Sequence, residues 1–193
     1  MGVDFKNPPA TVLSPSKLAH VVLRTNKLAE MVKFYKDFLG SYSVFENEML
    51  AFLTYDDEHH RIAVIGMPGT TAKEPNSCGL EHIAFSFDSL SDLLLSYRQR
   101  RTKGILPEWP VNHGPTTSIY YKDPDGNRLE TQVDNFENPD DATEFMKSKE
   151  FAINPIGTDF DPEELIARLE GGETEKALMK RVPSGPRELP LGF

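Results

Sequence analysis

One short run of residues occurs twice in this chain, and the repeat limits the folds open to it. Leu18-Ala19-His20-Val21-Val22-Leu23 aligns with Leu80-Glu81-His82-Ile83-Ala84-Phe85 at an offset of 62 residues. The agreement continues past the histidines: Asn26 falls on Asp88, Leu28 on Leu90, Met31 on Leu93 and Tyr35 on Tyr97. Asn26 and Asp88 are suited to cap a helix, because a short side-chain oxygen accepts a free N–H of the first turn. Leu28, Met31, Tyr35 and Leu39 recur with helical period, as do Leu90, Leu93, Leu94 and Tyr97. Each half therefore opens with a strand and a capped amphipathic helix.

Three strands follow each helix. After Gly40, a natural helix stop, residues 42–45, 49–54 and 61–67 read as strands separated by polar turns. After Gly104, weaker signals at 105–111 precede stronger ones at 117–122 and 128–133. Between the last two stands Asp123-Pro124-Asp125-Gly126-Asn127, where proline presets one φ and Gly126 can take a positive one. The unit is βαβββ, used twice, which makes the fold class α+β. Module one spans 17–67 and module two 79–135.

The ends differ in composition from this core. Residues 1–16, with Pro8-Pro9 and Ser14-Pro15, are expected to form an extended N-terminal arm. Residues 136–193 are expected to form a C-terminal helical tail. Within it 140–149 reads as helix, Asn154-Pro155 breaks it, and Asp161-Pro162-Glu163-Glu164 starts another. A further short helix is expected within 173–180. The expected role of the tail is to cover the sheet or make a dimer contact.

A formal net charge of -9 argues against nucleic-acid or anionic-membrane partners, which favour basic surfaces. Cys78 is the single cysteine, so an intrachain disulfide is excluded and a reducing compartment is expected. No apolar run approaches the roughly 18 residues of a membrane span, and the start lacks a signal-peptide core. The expectation is a soluble cytoplasmic protein.

His20 and His82 occupy equivalent places in the two copies, and Glu130 ends a strand–turn–strand that begins near His113. Two imidazoles and one carboxylate on neighbouring strands are the ingredients of an open iron site. Taken singly, a histidine within an apolar strand is more often a buried structural residue than a ligand, and Glu130 could face solvent.

The paired units, and above all Ser118-Ile119-Tyr120-Tyr121-Lys122-Asp123-Pro124-Asp125-Gly126-Asn127-Arg128-Leu129-Glu130, resemble the vicinal oxygen chelate superfamily of glyoxalases, bleomycin-resistance proteins and extradiol dioxygenases. The resemblance covers about residues 17 to 135. It implies that the paired modules form a half-open barrel around a metal held by His20, His82 and Glu130. Glyoxalase I and methylmalonyl-CoA epimerase are similar in fold but use a fourth protein ligand on the last strand of module one. The repeat offset carries Glu130 to about position 68. The strand Arg61-Ile62-Ala63-Val64-Ile65-Gly66-Met67 offers no Glu, Gln or Asp there.

Three ligands resemble instead the small single-pair type I extradiol dioxygenases. That likeness implies Fe(II), with Mn(II) as the alternative, and an aromatic diol of the biphenyl-2,3-diol kind with O2 as partners. His60, of the His59-His60 pair, would be the acid–base residue, and Tyr120 and His113 would hydrogen-bond the ring oxygen; the spacing from His113 to Tyr120 is shorter than in some members. A homodimer and a place in aromatic catabolism are further expectations. Two readings stand beside this one. The first is a metal-dependent isomerase, lyase or glutathione transferase of the same fold, and the second a metal-free drug-binding protein.

Overall fold

The computed structural model describes residues 5–74, 77–190 and 192; residues 1–4 of the expected arm lie outside them. Module one comprises β1 (Val21–Thr25), α1 (Leu28–Leu39), β2 (Tyr42–Glu46), β3 (Leu50–Thr54) and β4 (Ile62–Gly66). Module two repeats the order with β5 (His82–Phe87), α2 (Leu90–Thr102), β6 (Trp109–Asn112), β7 (Thr116–Lys122) and β8 (Arg128–Asp134). The tail contributes α3 (Pro139–Met146), α4 (Lys149–Ile153), β9 (Thr158–Asp159), α5 (Pro162–Glu170) and α6 (Glu175–Leu178).

Local chemistry shifts several expected boundaries. Lys27, not Asn26, precedes α1, and its N–H is satisfied by Thr25 Oγ1 at 2.8 Å. Asn26 donates its amide to the Thr70 carbonyl instead. Ser89, not Asp88, caps α2, its hydroxyl accepting from the Asp92 N–H at 3.0 Å. The strand expected from Ile105 begins only at Trp109. The helix expected over 140–149 is two helices, because the Ser148 hydroxyl accepts from Phe151 N–H and starts a second one. Gly40 ends α1 at a φ of 64°, the left-handed conformation that a helix stop uses.

Each module forms its own sheet. Strands run β1-β4-β3-β2 in the first and β5-β8-β7-β6-β9 in the second, and neither sheet closes into a barrel. In both, the first strand pairs in parallel with the last of its module, and its other edge is open.

One core lies between the sheets. Leu23, Ala51, Leu53 and Val64 of the first sheet join Met31, Tyr35 and Phe38 of α1. The same cluster continues through Leu90, Leu93 and Tyr97 of α2 to Ile83, Phe85, Ile119, Tyr121 and Leu129 of the second. Arg100 ties the helices together, donating from Nε to the Phe38 carbonyl at 2.9 Å with its guanidinium 4.2 Å over the Phe38 ring. Such a buried cation is tolerated because carbonyl, hydroxyl and aromatic faces surround it. The Asp123 turn joins the same interface. Its carboxylate accepts from Tyr35 Oη at 3.0 Å and from Asn127 N–H at 2.8 Å. Gly126 in that turn has a φ of 81°.

The tail adds β9 to the edge of β6 and packs α5 against α2. Among the described residues, no helix is long and apolar enough to cross a membrane.

Candidate active site

Strand alternation turns one residue set of each sheet toward the shared core and the other set away from it. On the second sheet, the pairing places Ala84, Glu130, Tyr120 and Trp109 in one row across β5, β8, β7 and β6. This row stands on the face opposite the core. His82 begins β5 on that same face, and its Nε2 lies 3.0 Å from Glu130 Oε2. Its Nδ1 contacts the Glu81 carboxylate, which also pairs with Arg128. A carboxylate on the remote ring nitrogen fixes the imidazole's orientation and leaves the other nitrogen for a ligand's role.

The electrostatics follow from burial and pairing. The hydrogen bond to Glu130, helped by Glu81, raises His82 to about 9. Burial pushes Glu130 up, but hydrogen bonds from His82 and Ser118 outweigh it, and the net direction is down. Without a metal the two share an imidazolium–carboxylate pair. Burial, and then the charge of Glu130, holds the Tyr120 phenol protonated far above the ordinary range.

His113 meets this wall from the loop after β6. Its Nε2 is 3.0 Å from Tyr120 Oη and its Nδ1 is 2.5 Å from the Ile156 carbonyl in the tail. Burial lowers its pKa, which favours the neutral ring. Trp109 stacks on Tyr120 at 5.3 Å, and its indole N–H donates to Asp159 of β9. Glu81, Trp109, Ser118, Ile156 and Asp159 were not singled out from sequence. Only Glu81, next to His82, carried a signal that could have marked it.

The remaining candidates gather on the first sheet. His20 sits one residue before β1, and its ring centroid is 4.3 Å from that of His60. His60 stacks on Phe52 at 4.7 Å. Burial lowers the His60 pKa, and the neighbouring His20 and His59 add to the effect. The structure thus brings together His82, Glu130, Tyr120 and His113 in one place and His20 with His60 in another. Among the described residues, no three His, Cys, Asp or Glu side chains converge as a metal site would require.

The two sheets match row for row. Val22, Ala63, Phe52 and Phe45 lie across β1, β4, β3 and β2 as Ala84, Glu130, Tyr120 and Trp109 lie across their counterparts. Ala63 therefore stands where Glu130 stands in the other module. A methyl group there cannot ligate a metal, so the fourth donor of a four-ligand site is missing at a defined position. A separate groove of about 780 Å³, between β5, β8 and helices of the tail, contains none of the candidate residues.

Comparison with known proteins agrees with this architecture. Residues 17–131 match the model of the Glyoxalase/Bleomycin resistance protein/Dioxygenase superfamily, and the chain belongs to that superfamily. It is 47% identical over 167 residues to biphenyl-2,3-diol 1,2-dioxygenase 3 of Rhodococcus globerulus, a match spanning 86% of this chain and 88% of that one. Biphenyl-2,3-diol 1,2-dioxygenase 2 of the same organism is 46% identical over 76% of this chain and 77% of its own length. A lactoylglutathione lyase of Salmonella typhimurium is 30% identical over 59% of this chain and 90% of that protein. In structure, a glyoxylase/bleomycin resistance protein/dioxygenase domain from Frankia sp. EAN1pec aligns with a TM-score of 0.55 at 18% identity. That alignment covers 65% of this chain and 96% of that domain, and it supports the fold alone.

Proposed function

We propose that the protein opens the ring of a biphenyl-2,3-diol-like catechol with O2, using His20, His82 and Glu130 toward Fe(II), with Mn(II) as the alternative ion. The chain is an extradiol dioxygenase, as identities of 46–47% to two biphenyl-2,3-diol 1,2-dioxygenases indicate. In the reaction their name describes, the bond broken lies beside the diol carbons and not between them. Enzymes of this family depend on a metal ion.

The observation that carries the reading is the wall formed by His82, Glu130, Tyr120 and His113. It sets an imidazole and a carboxylate 3.0 Å apart next to an oriented phenol. Within one chain the donors are incomplete, because His20 stands on the other sheet. The chemistry derivable from one chain is therefore the handling of protons and orientation.

The Ile156 carbonyl can only accept, so His113 Nδ1 carries the hydrogen and Nε2 accepts from the Tyr120 hydroxyl. Tyr120 then keeps its lone pairs for a hydroxyl of the diol. His60, kept neutral by its surroundings, is suited to take the second hydroxyl proton near neutral pH.

The test is direct. Protein reconstituted anaerobically with Fe(II) and given biphenyl-2,3-diol in air should form a yellow ring-opened product with matching oxygen uptake. Turnover without oxygen uptake would assign a lyase or isomerase activity instead. No turnover after verified iron loading would sink the substrate assignment.

A further inference from the structure

We propose that Asp159 is a positioning residue for ring opening: it holds the Trp109 indole so that the indole face fixes the Tyr120 phenol between His113 and the diol. This rests on the role given to Tyr120 above and adds what keeps that ring in place.

The register of the second sheet sets Trp109 directly opposite Tyr120, on the face that carries Glu130. The two rings stack with centroids 5.3 Å apart and planes 21° apart. The same indole meets the His113 ring edge-on, at 5.7 Å and 88°. One side chain thus bears on both members of the Tyr120–His113 hydrogen bond.

The torsion that turns an aromatic ring about its stem has broad preferences, so the ring plane is set by what it touches. Stacking limits tilt, but several offset arrangements of two rings satisfy it. A hydrogen bond at the edge of the indole removes that freedom. Asp159 Oδ1 accepts from the Trp109 N–H at 2.6 Å. β9 pairs with Val111 and Asn112, so Asp159 reaches back to Trp109 with its side chain and not through the ladder.

The carboxylate is itself aimed. Its Oδ2 pairs with Arg187 at 2.6 Å, and Arg187 also donates to the Gly157 carbonyl at 3.2 Å. The same guanidinium lies 5.6 Å from the centre of the Trp109 ring. Exposure separates the two ends of this chain of contacts. Trp109 and Tyr120 are each 6% exposed, whereas the Asp159 side chain is 56% exposed. An exposed ion pair adds little to global stability. The contribution of Asp159 is therefore orientation of a buried ring more than strength of the fold.

Trp109 is the single tryptophan of the chain, so its emission reports this ring alone. Time-resolved fluorescence anisotropy is recorded on full-length wild type and Asp159→Leu without metal or substrate. Melting temperatures are taken on the same samples, and kcat and KM follow after anaerobic Fe(II) loading, with biphenyl-2,3-diol in air. Wild-type emission should depolarise only with tumbling of the whole protein. Asp159→Leu should add a faster component, on the time scale of local side-chain motion. Its melting temperature should stay near that of wild type. Its kcat should fall roughly tenfold with KM little changed, the lower end of what loss of an orienting partner costs.

Trp109→Phe keeps a stacking ring and has no N–H. It should lower kcat to a similar degree, and adding Asp159→Leu to it should lower kcat no further, because both changes remove the same bond. A second full loss in the double variant would overturn the proposal, since Asp159 would then act elsewhere than through Trp109. A fast component already present in wild type would also overturn it. So would an Asp159→Leu protein that keeps kcat, or that loses it only in step with its melting temperature. A wild type that takes up no oxygen with the diol would sink the proposed reaction and the positioning role with it. The anisotropy needs neither metal nor substrate, so it tells a ring that was never held from a reaction that was wrongly assigned.

Discussion

His113 Nε2 stands 3.0 Å from the Tyr120 hydroxyl, and the Ile156 carbonyl on the far side of the ring decides which of the two donates. Because that carbonyl takes the Nδ1 hydrogen, the phenol gives its own to Nε2. Replacing Tyr120 by Phe removes this bond while preserving the ring stacked on Trp109. We expect kcat to fall on the order of 10–100-fold with little change in KM, as for loss of a group that orients a site. A pure rise in KM would mean that Tyr120 contributes binding alone.

Arg181 holds the segment that carries Ile156. Its guanidinium donates to the His113 carbonyl at 3.0 Å and to the Asn154 carbonyl at 2.6 Å, the second bond buried. Arg181→Met should cost about 1–3 kcal/mol, the range for leaving a buried polar group unpaired. Denaturant titration gives the stability, and kcat should fall with it although Arg181 lies outside the reacting centre. Unchanged stability and kcat would show that the tail is held by other contacts.

Gly157 follows Ile156 with a φ of 115°, and a Cβ there would lie 2.4 Å from the Asn112 carbonyl oxygen. The clash is with backbone, so neither partner can yield cheaply. Gly157→Ala should destabilise by roughly 1–3 kcal/mol. At about 2–4 °C per kcal/mol for a chain of this size, calorimetry should show a drop of several degrees.

The His82–Glu130 pair makes metal-free protein sensitive to alkali. The hydrogen bond to Glu130 raises His82 to about 9, above its unfolded value. The resulting stabilisation is complete below about pH 6.5 and is lost as pH rises through about 9. Chelator-treated wild type should therefore lose melting temperature between pH 7 and pH 9.5 more steeply than chelator-treated His82→Gln. Parallel curves would mean that the pair does not form without metal.

The parts legible in sequence are those fixed over short range. The 62-residue repeat placed both strand–helix openings, since hydrophobic period and turn residues act locally. The Asp123 turn sets the hairpin, and the hairpin sets Tyr120 opposite Glu130. The equivalence of Ala63 to Glu130 was not legible to the residue. The repeat offset pointed five positions further on, because the strands and turns of the two modules differ in length and only hydrogen-bond register aligns them. Ile156 and Arg181 were not legible either. Their contacts to His113 span 43 and 68 residues and arise from how the tail packs, which no local pattern encodes. The separation of His20 from His82 belongs to the same class, being a property of how the two modules pack through Phe38, Phe85 and Tyr121.

The Ile156 and Arg181 contacts also set a timetable. During synthesis His113 leaves the ribosome well before the residues that orient it, and domains fold largely in the order they emerge. The strands of both modules precede residue 135, whereas the carbonyl partner of His113 comes only at Ile156. A chain ending before Ile156 would carry every strand of the modules and yet lack the groups that orient His113 beside Tyr120. Competence for chemistry therefore waits on residues as far along as Arg181.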